Sequence, residues 1–130
     1  VATMNEQMTE VVRLRVRPQF LFVRGGLAER RRSLVIQARR RPAADTSSLH
    51  MGEGFTATKK VGNSVVRNRA RRRLKAAAHQ YLPQYGLPGV DYVFIARMDT
   101  AEISWQRLLD DMESALISLA AALEAGSGPA

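Results

Sequence analysis

Lys59-Lys60-Val61-Gly62-Asn63-Ser64-Val65-Val66-Arg67-Asn68-Arg69-Ala70-Arg71-Arg72-Arg73-Leu74-Lys75 decides how this chain is read. The stretch holds eight cations and no acid, while outside it twelve bases face twelve acids. The formal net charge of +8 is therefore a local property of these seventeen residues. Charges of one sign packed this densely repel unless a polyanion neutralises them, and a phosphate backbone does so with an entropic gain from released counterions. Nucleic acid is the first partner to consider.

Charge alone does not separate a folded binding surface from a solvated basic tail or an import-like tract. The apolar residues inside the run do. Val66, Ala70, Leu74, Ala77 and Tyr81 recur at helical spacing and define a buried stripe. Wound this way, Arg67, Arg71 and Lys75 form a row a turn apart with Asn68 and Arg72 beside it, and Arg69 and Arg73 fall on the other flank. Gly62, Asn63 and Ser64 stand where the helix begins, and Asn63 or Ser64 can accept a hydrogen bond from a free first-turn amide.

Working outward, 130 residues suit a single domain with one core. Residues 1–12 carry no strong signal and read as a flexible N-terminus, with Met4 as the natural start. Arg13 to Arg24 reads as a short element with Leu14, Phe20, Leu21 and Val23 inside and Arg13, Arg15, Arg17 and Arg24 in water. Pro18 allows a helix to start nearby, and Gly25-Gly26 ends it. Ser33 to Arg39 is a short β-branched run, hence a strand. Residues 42–52 form a polar connection, and Glu53 to Lys60 returns as a second strand with Phe55, Ala57 and Lys59 on one face. The spacing predicts that these two strands form an antiparallel pair.

After the basic helix, Pro83, Gly86, Pro88 and Gly89 make a loop. Val90 to Arg97 is a nearly continuous apolar run, the pattern of a buried strand. Asp99-Thr100 or Ser104 caps a last helix whose stripe runs Trp105, Leu108, Leu109, Met112, Leu116, Leu119, Ala120 and Leu123. That helix is acidic and reads as turned away from phosphate. Residues 125–130 read as a flexible C-terminus.

Chemistry for an enzyme acting on its own is mostly missing. The chain has no cysteine, which excludes disulfides, thiolate zinc sites and cysteine nucleophiles. Gly52-Glu53-Gly54 and Gly62 do not meet the phosphate-loop pattern. His50 and His79 have no companion nucleophile at a recognisable spacing and read as surface histidines. Asp110, Asp111 and Glu113 fan over different directions of a helix and read as solubilising residues rather than converging metal ligands. No apolar run is long enough to cross a bilayer, and no signal-peptide pattern opens the chain.

The run from Lys59 to Leu74 resembles the signature helix of the protein subunit of bacterial ribonuclease P: Lys-Lys, small apolar, Gly-Asn, small, Val, apolar, Arg-Asn-Arg, any, Lys/Arg-Arg. The flanks agree, with Arg13-Leu14 and Phe20 similar to the family's first helix, Leu34-Val35-Ile36 to its long strand and Ile95-Ala96-Arg97 to the end of its last strand. The likeness spans roughly residues 13–120, within an expected domain of 13–124. It implies an α+β fold ordered α-β-β-β-α-β-α, a small mixed sheet packed on helices with a left-handed crossover through the basic helix, of the same class as a domain of a ribosomal protein. From general topology alone a right-handed crossover is expected.

The resemblance further implies a cytoplasmic, non-catalytic accessory subunit of an endoribonuclease, with no catalytic residue and no metal site of its own. The RNA subunit, with Mg2+ held mainly by RNA and substrate, removes the 5′ leader of precursor tRNA. Lys59, Lys60, Asn63, Arg67, Asn68, Arg69, Arg71, Arg72, Arg73 and Lys75 inherit contact with that catalytic RNA. A cleft beside the first helix takes the leader, with Phe20, Arg24, Gln37, Phe55 and Arg97 as candidates. Where many members place aromatics, this chain has Arg24 and Gln37, which shifts leader contacts toward charge and hydrogen bonding. No membrane and no obligate protein partner are implied. Two other classes stay open on the residues alone: a ribosomal-type RNA-binding module, and a metal-dependent nuclease using its own carboxylates.

Overall fold

The computed structural model describes residues 9–42 and 49–126. The expectations for residues 1–8, for most of the polar connection and for residues 127–130 lie outside the described residues. In chain order the elements are β1 (Val11–Arg13), α1 (Arg17–Arg24), β2 (Leu27–Arg30), β3 (Leu34–Arg40), β4 (Met51–Thr56), a 3₁₀ turn (Lys59–Val61), α2 (Ser64–Tyr85), β5 (Val90–Ala96) and α3 (Trp105–Ala125). The expected α+β class and most of the expected order are present, preceded by one additional strand.

The five strands form one mixed sheet ordered β1-β4-β5-β3-β2. β5 runs down its middle, parallel to β4 and antiparallel to β3. This corrects the expected antiparallel pair: β3 and β4 are not neighbours, because β5 lies between them. The reason is burial. Six of the seven β5 residues are buried, and a strand that apolar on both sides gains most where both sheet faces are covered. β4 also stops at Thr56, so Lys59 belongs to the turn that precedes α2 rather than to a strand.

The N-terminal part is corrected too. Val11 and Val12, placed in the flexible terminus by the sequence, pair in parallel with Met51 and Gly52, and Arg13 pairs with Glu53 rather than opening a helix. Three residues are too few for alternation to show, and the partner lies forty positions away. The helix starts at Arg17, with Pro18 in its first turn, where its missing N–H costs nothing. The Gln19 side chain accepts from the Arg15 and Val16 amides at 2.7 and 3.0 Å.

Two apolar layers cover the sheet. On one face Leu34, Ile36, Tyr92 and Phe94 pack against Ala70, Leu74, Ala77 and Leu82 of α2 and against Leu108, Met112, Leu116 and Leu119 of α3. On the other a smaller cluster of Leu14, Val23 and Val93, flanked by Phe20, Phe22 and Ile95, seats α1. The predicted stripe of α2 is thus the buried one, although Val66 and Tyr81 at its ends are only partly covered. α2 runs through Pro83 to Tyr85 instead of stopping at the proline. Tyr85 is held there by donating to Glu113 at 2.7 Å, a tertiary contact that local propensity does not see.

α3 is capped by Ser104, whose side chain accepts from the Arg107 amide at 3.2 Å. Two residues of this helix differ from expectation. Trp105 lies 40% exposed outside the stripe, and Asp111 is buried, where it accepts from the Ser33 amide and hydroxyl at 3.2 and 2.9 Å and from Arg107 at 3.0 Å. A buried carboxylate with three donors is satisfied rather than solubilising.

Candidate nucleic-acid interface

The lead-in to α2 is built from the backbone up. Gly62 adopts φ +147°, and a side chain there would meet Val66 at 3.0 Å, so the turn requires glycine. Asn63 follows as N-cap, accepting from the Val66 amide at 3.0 Å. Arg67 reaches back to the Gly62 carbonyl at 2.8 Å. Asn63, and in part Arg67, therefore hold the helix start in place, leaving the exposed Lys59 and Lys60 beside it.

Along α2 the cations divide. Arg73 donates to the Thr100 and Ile103 carbonyls, both at 2.5 Å, and its guanidinium lies 5.8 Å from the centre of the Trp105 ring. Its pKa is lowered, by burial first and by the neighbouring Arg69 charge second, with Glu102 opposing. Arg69 pairs with Glu102 at 3.3 Å, both side chains at least half exposed. The sequence grouped Arg73 with the RNA contacts; the structure spends it inside the protein. A signal was available in Glu102 and Trp105, at the end of the β5–α3 connection and the start of α3, but only once this segment and α2 are known to be neighbours.

On the other side Arg71 hydrogen-bonds to Asn68, and Arg72 and Lys75 are exposed, with no acid among the described residues within reach. This side borders the edge of the sheet where β1 stops after Arg13 and leaves the end of β4 uncovered. A depression of about 230 Å³ opens there, between Arg71 and Lys75 of α2, Arg13 and Arg15 of the N-terminal segment, and the rings of Phe20 and Phe55. Phe20 can press its ring edge close to the strand because position 54 is glycine; a Cβ there would sit 2.6 Å from the ring. Phe55 stacks on Phe94 at 5.2 Å and carries the Arg13 guanidinium at 5.1 Å from its centre. Arg13 is in turn held by Glu53 at 3.1 Å.

The five leader candidates are not gathered at one point. Phe20 and Phe55 meet at this edge, although Phe55 belongs to the α2 face of the sheet, level with Phe94 and Ile36. Gln37 lies on the α1 face, level with Val93 and Gly54, so it continues the surface next to Phe20 across two strands. Arg97 sits beyond the end of β5, donating to the Arg31 carbonyl at 3.1 Å. Arg24 is exposed at the end of α1. Sequence reasoning missed Arg13 and Arg15 as parts of the site. Arg39 lies outside the depression's lining, its guanidinium covering the Phe22 ring at 4.5 Å and donating to the Phe22 carbonyl at 3.0 Å.

The ribonuclease P family model matches residues 8–120, nearly the whole described chain. The chain belongs to the ribonuclease P protein family. It is 51% identical over 114 residues to the ribonuclease P protein component of Caulobacter vibrioides, covering 88% of this chain and 74% of that one. To the component from Ruegeria pomeroyi it is 46% identical over 107 residues, covering 82% and 84%. Among solved structures, the Staphylococcus aureus RNase P protein superposes with a TM-score of 0.68 at 20% identity, over 82% of this chain and 94% of that one. The Thermotoga maritima RNase P protein does so at 0.66 and 19%, over 82% and 96%. The shared fold is the family's mixed sheet with three helices. A ribonuclease P protein component is one subunit of the ribonucleoprotein that processes tRNA 5′ ends, and it partners an RNA subunit.

Within that family role the site has the character of a binding surface. Among the described residues no three His, Asp or Glu side chains converge to hold a metal. Three of the four acids of α3 are engaged elsewhere: Asp110 accepts from Gln106 at 2.8 Å, Asp111 from Ser33 and Arg107, and Glu113 from Tyr85. No described helix is long and apolar enough to cross a membrane.

Proposed function

We propose that this ribonuclease P protein lays the outer side of α2 against the catalytic RNA and receives the single-stranded 5′ leader of precursor tRNA in the depression at the sheet edge. Lys59, Lys60, Arg72 and Asn68 lie on the RNA side, with Arg67, Arg71 and Lys75 between the two ligands. Phe20 and Phe55 offer ring faces, and unstacked bases gain about 1–3 kcal/mol each on such surfaces. Arg13 and Arg15 supply charge, and Gln37, Arg97 and Arg24 extend the leader's path by hydrogen bonding and charge.

The observation that carries this reading is the junction itself: one row of cations on α2, Arg71 to Lys75, forms the wall of a depression floored by aromatic rings. Mg2+ is held by the RNA and the substrate, with the protein supplying positive charge that lowers the cost of bringing two polyanions together. The complex works in the cytoplasm without an obligate protein partner. The test is cleavage of a 5′-extended precursor tRNA at low Mg2+ by protein alone, by ribonuclease P RNA alone and by both. Cleavage confined to the mixture, or much faster there, is the expected result; cleavage by the protein alone overturns the reading.

A further inference from the structure

Beside the leader depression lies a larger trench of about 590 Å³, between β1 and the second half of α2, to which neither the catalytic RNA nor the leader has been assigned. We infer that this trench is a second nucleotide subsite, taking one unpaired nucleotide of the same strand and favouring a base that carries an exocyclic amino group. The inference rests on the leader reading and extends it.

Continuity is the first ground. Arg13 and Lys75 line both the depression and the trench, so the two hollows meet at a pair of cations. A strand lying over Phe20 and Phe55 passes between those cations as it leaves, and its phosphate is neutralised there. One turn beyond Lys75 on the same row, the exposed His79 also lines the trench and adds a further donor. The volume falls within the range of roughly 300–1,000 Å³ in which clefts enclose small-molecule-sized groups, which suits a single nucleotide.

Chemistry of the walls is the second ground. Val11 on the strand side and the exposed Ala76 and Pro83 on the helix side give apolar surface for the faces of a base. Glu53 supplies the one acidic group in the lining. Both hydrogen bonds from Arg13, at 3.3 and 3.1 Å, go to its Oε2, and Oε1 accepts from no described donor. A lone carboxylate in a phosphate-binding groove repels its ligand, but this one is neutralised by Arg13 while keeping an acceptor free. That acceptor suits the exocyclic amino group of cytosine, adenine or guanine, whereas uracil offers only its ring N3–H, set between two carbonyl oxygens that a carboxylate repels. A polyanionic strand is favoured over an acidic peptide because the base-reading acceptor and the flat apolar walls have no use for a peptide carboxylate.

The experiment uses the reconstituted holoenzyme and precursor tRNAs whose leaders are lengthened one nucleotide at a time, with affinity read at fixed salt. Two variants fill the trench from opposite walls: Ala76→Phe from the exposed side of α2, and Thr9→Trp from the segment before β1. Phe20→Ala reports on the depression. In the unmodified enzyme one added nucleotide raises affinity about fivefold, the lower end for stacking on a non-aromatic surface, and cytosine, adenine or guanine at that position outperforms uracil. Both filling variants abolish that step and keep the affinity for shorter leaders. Glu53→Gln, which can donate as well as accept, levels the preference between bases.

A step that survives both fillings overturns the inference. So does weaker binding of the RNA subunit with the step intact, which would assign the trench to the catalytic RNA. A step of equal size for all four bases removes the role given to Glu53. Failure of the leader reading looks different: Phe20→Ala then leaves affinity unchanged at every leader length.

Discussion

Arg69 and Arg73 stand one turn apart on one side of α2, and Arg71 and Lys75 stand one turn apart on the other. In sequence the two pairs are equivalent, and in the fold they have opposite fates. The first pair meets the β5–α3 connection, where the Thr100 and Ile103 carbonyls, Glu102 and the Trp105 ring take up its charge. The second meets a sheet edge that ends too early to cover it, so its charge faces a depression. A cation's availability to RNA is thus set by what the neighbouring element offers, and counting arginines overstates the binding surface.

The most disruptive way to test that division is to remove the packing that creates it. Leu74 is fully buried beneath both flanks. Leu74→Asp places a charge in the core and should cost more than about 4 kcal/mol, abolishing the cooperative unfolding transition seen by circular dichroism. A folded Leu74→Asp variant with weakened RNA binding would mean that α2 turns a different face to the sheet. Next, Arg73→Ala should destabilise the domain by about 2 kcal/mol, because it leaves two carbonyls without their charged donor; chemical denaturation measures this directly.

The opposite flank should respond in binding rather than stability. Arg71→Ala with Lys75→Ala should leave the melting temperature nearly unchanged and flatten the salt dependence of RNA affinity by about two units, one per lost phosphate contact. Phe20→Ala should weaken binding of leader-bearing precursor by about 1 kcal/mol and leave binding of mature tRNA alone. Least of all, Glu102→Ala should cost under about 1 kcal/mol, since it breaks only an exposed ion pair. A larger loss would show that the Arg69 side depends on that pair more than on Arg73.

What the sequence disclosed follows from where the information lies. α2, its Asn63 cap, the apolar run of β5 and the stripe of α3 were legible because each is written in local spacing. The family likeness then supplied the order of elements. β1 was not legible, since three residues carry no period and its partner is forty positions away. The insertion of β5 between β3 and β4 was equally hidden, because hairpin logic pairs neighbours in sequence. At the site, the cations and Phe20 could be named in advance. Their division into bound and free, the arrival of Arg13 and Arg15, and the burial of Asp111 depend on contacts between distant elements. Phe55 was named as an aromatic of interest, but it reaches the depression from the other face of the sheet through the gap beyond β1.

The most direct test of the division compares Arg72→Ala with Arg73→Ala in binding to ribonuclease P RNA across a range of salt concentrations. Adjacent in sequence, one is exposed and the other donates to two carbonyls. Arg72→Ala should lower the slope of log affinity against log salt by about one unit, whereas Arg73→Ala should leave the slope unchanged while lowering the melting temperature. An equal loss of slope in both variants, with no change in stability for Arg73→Ala, would contradict the account.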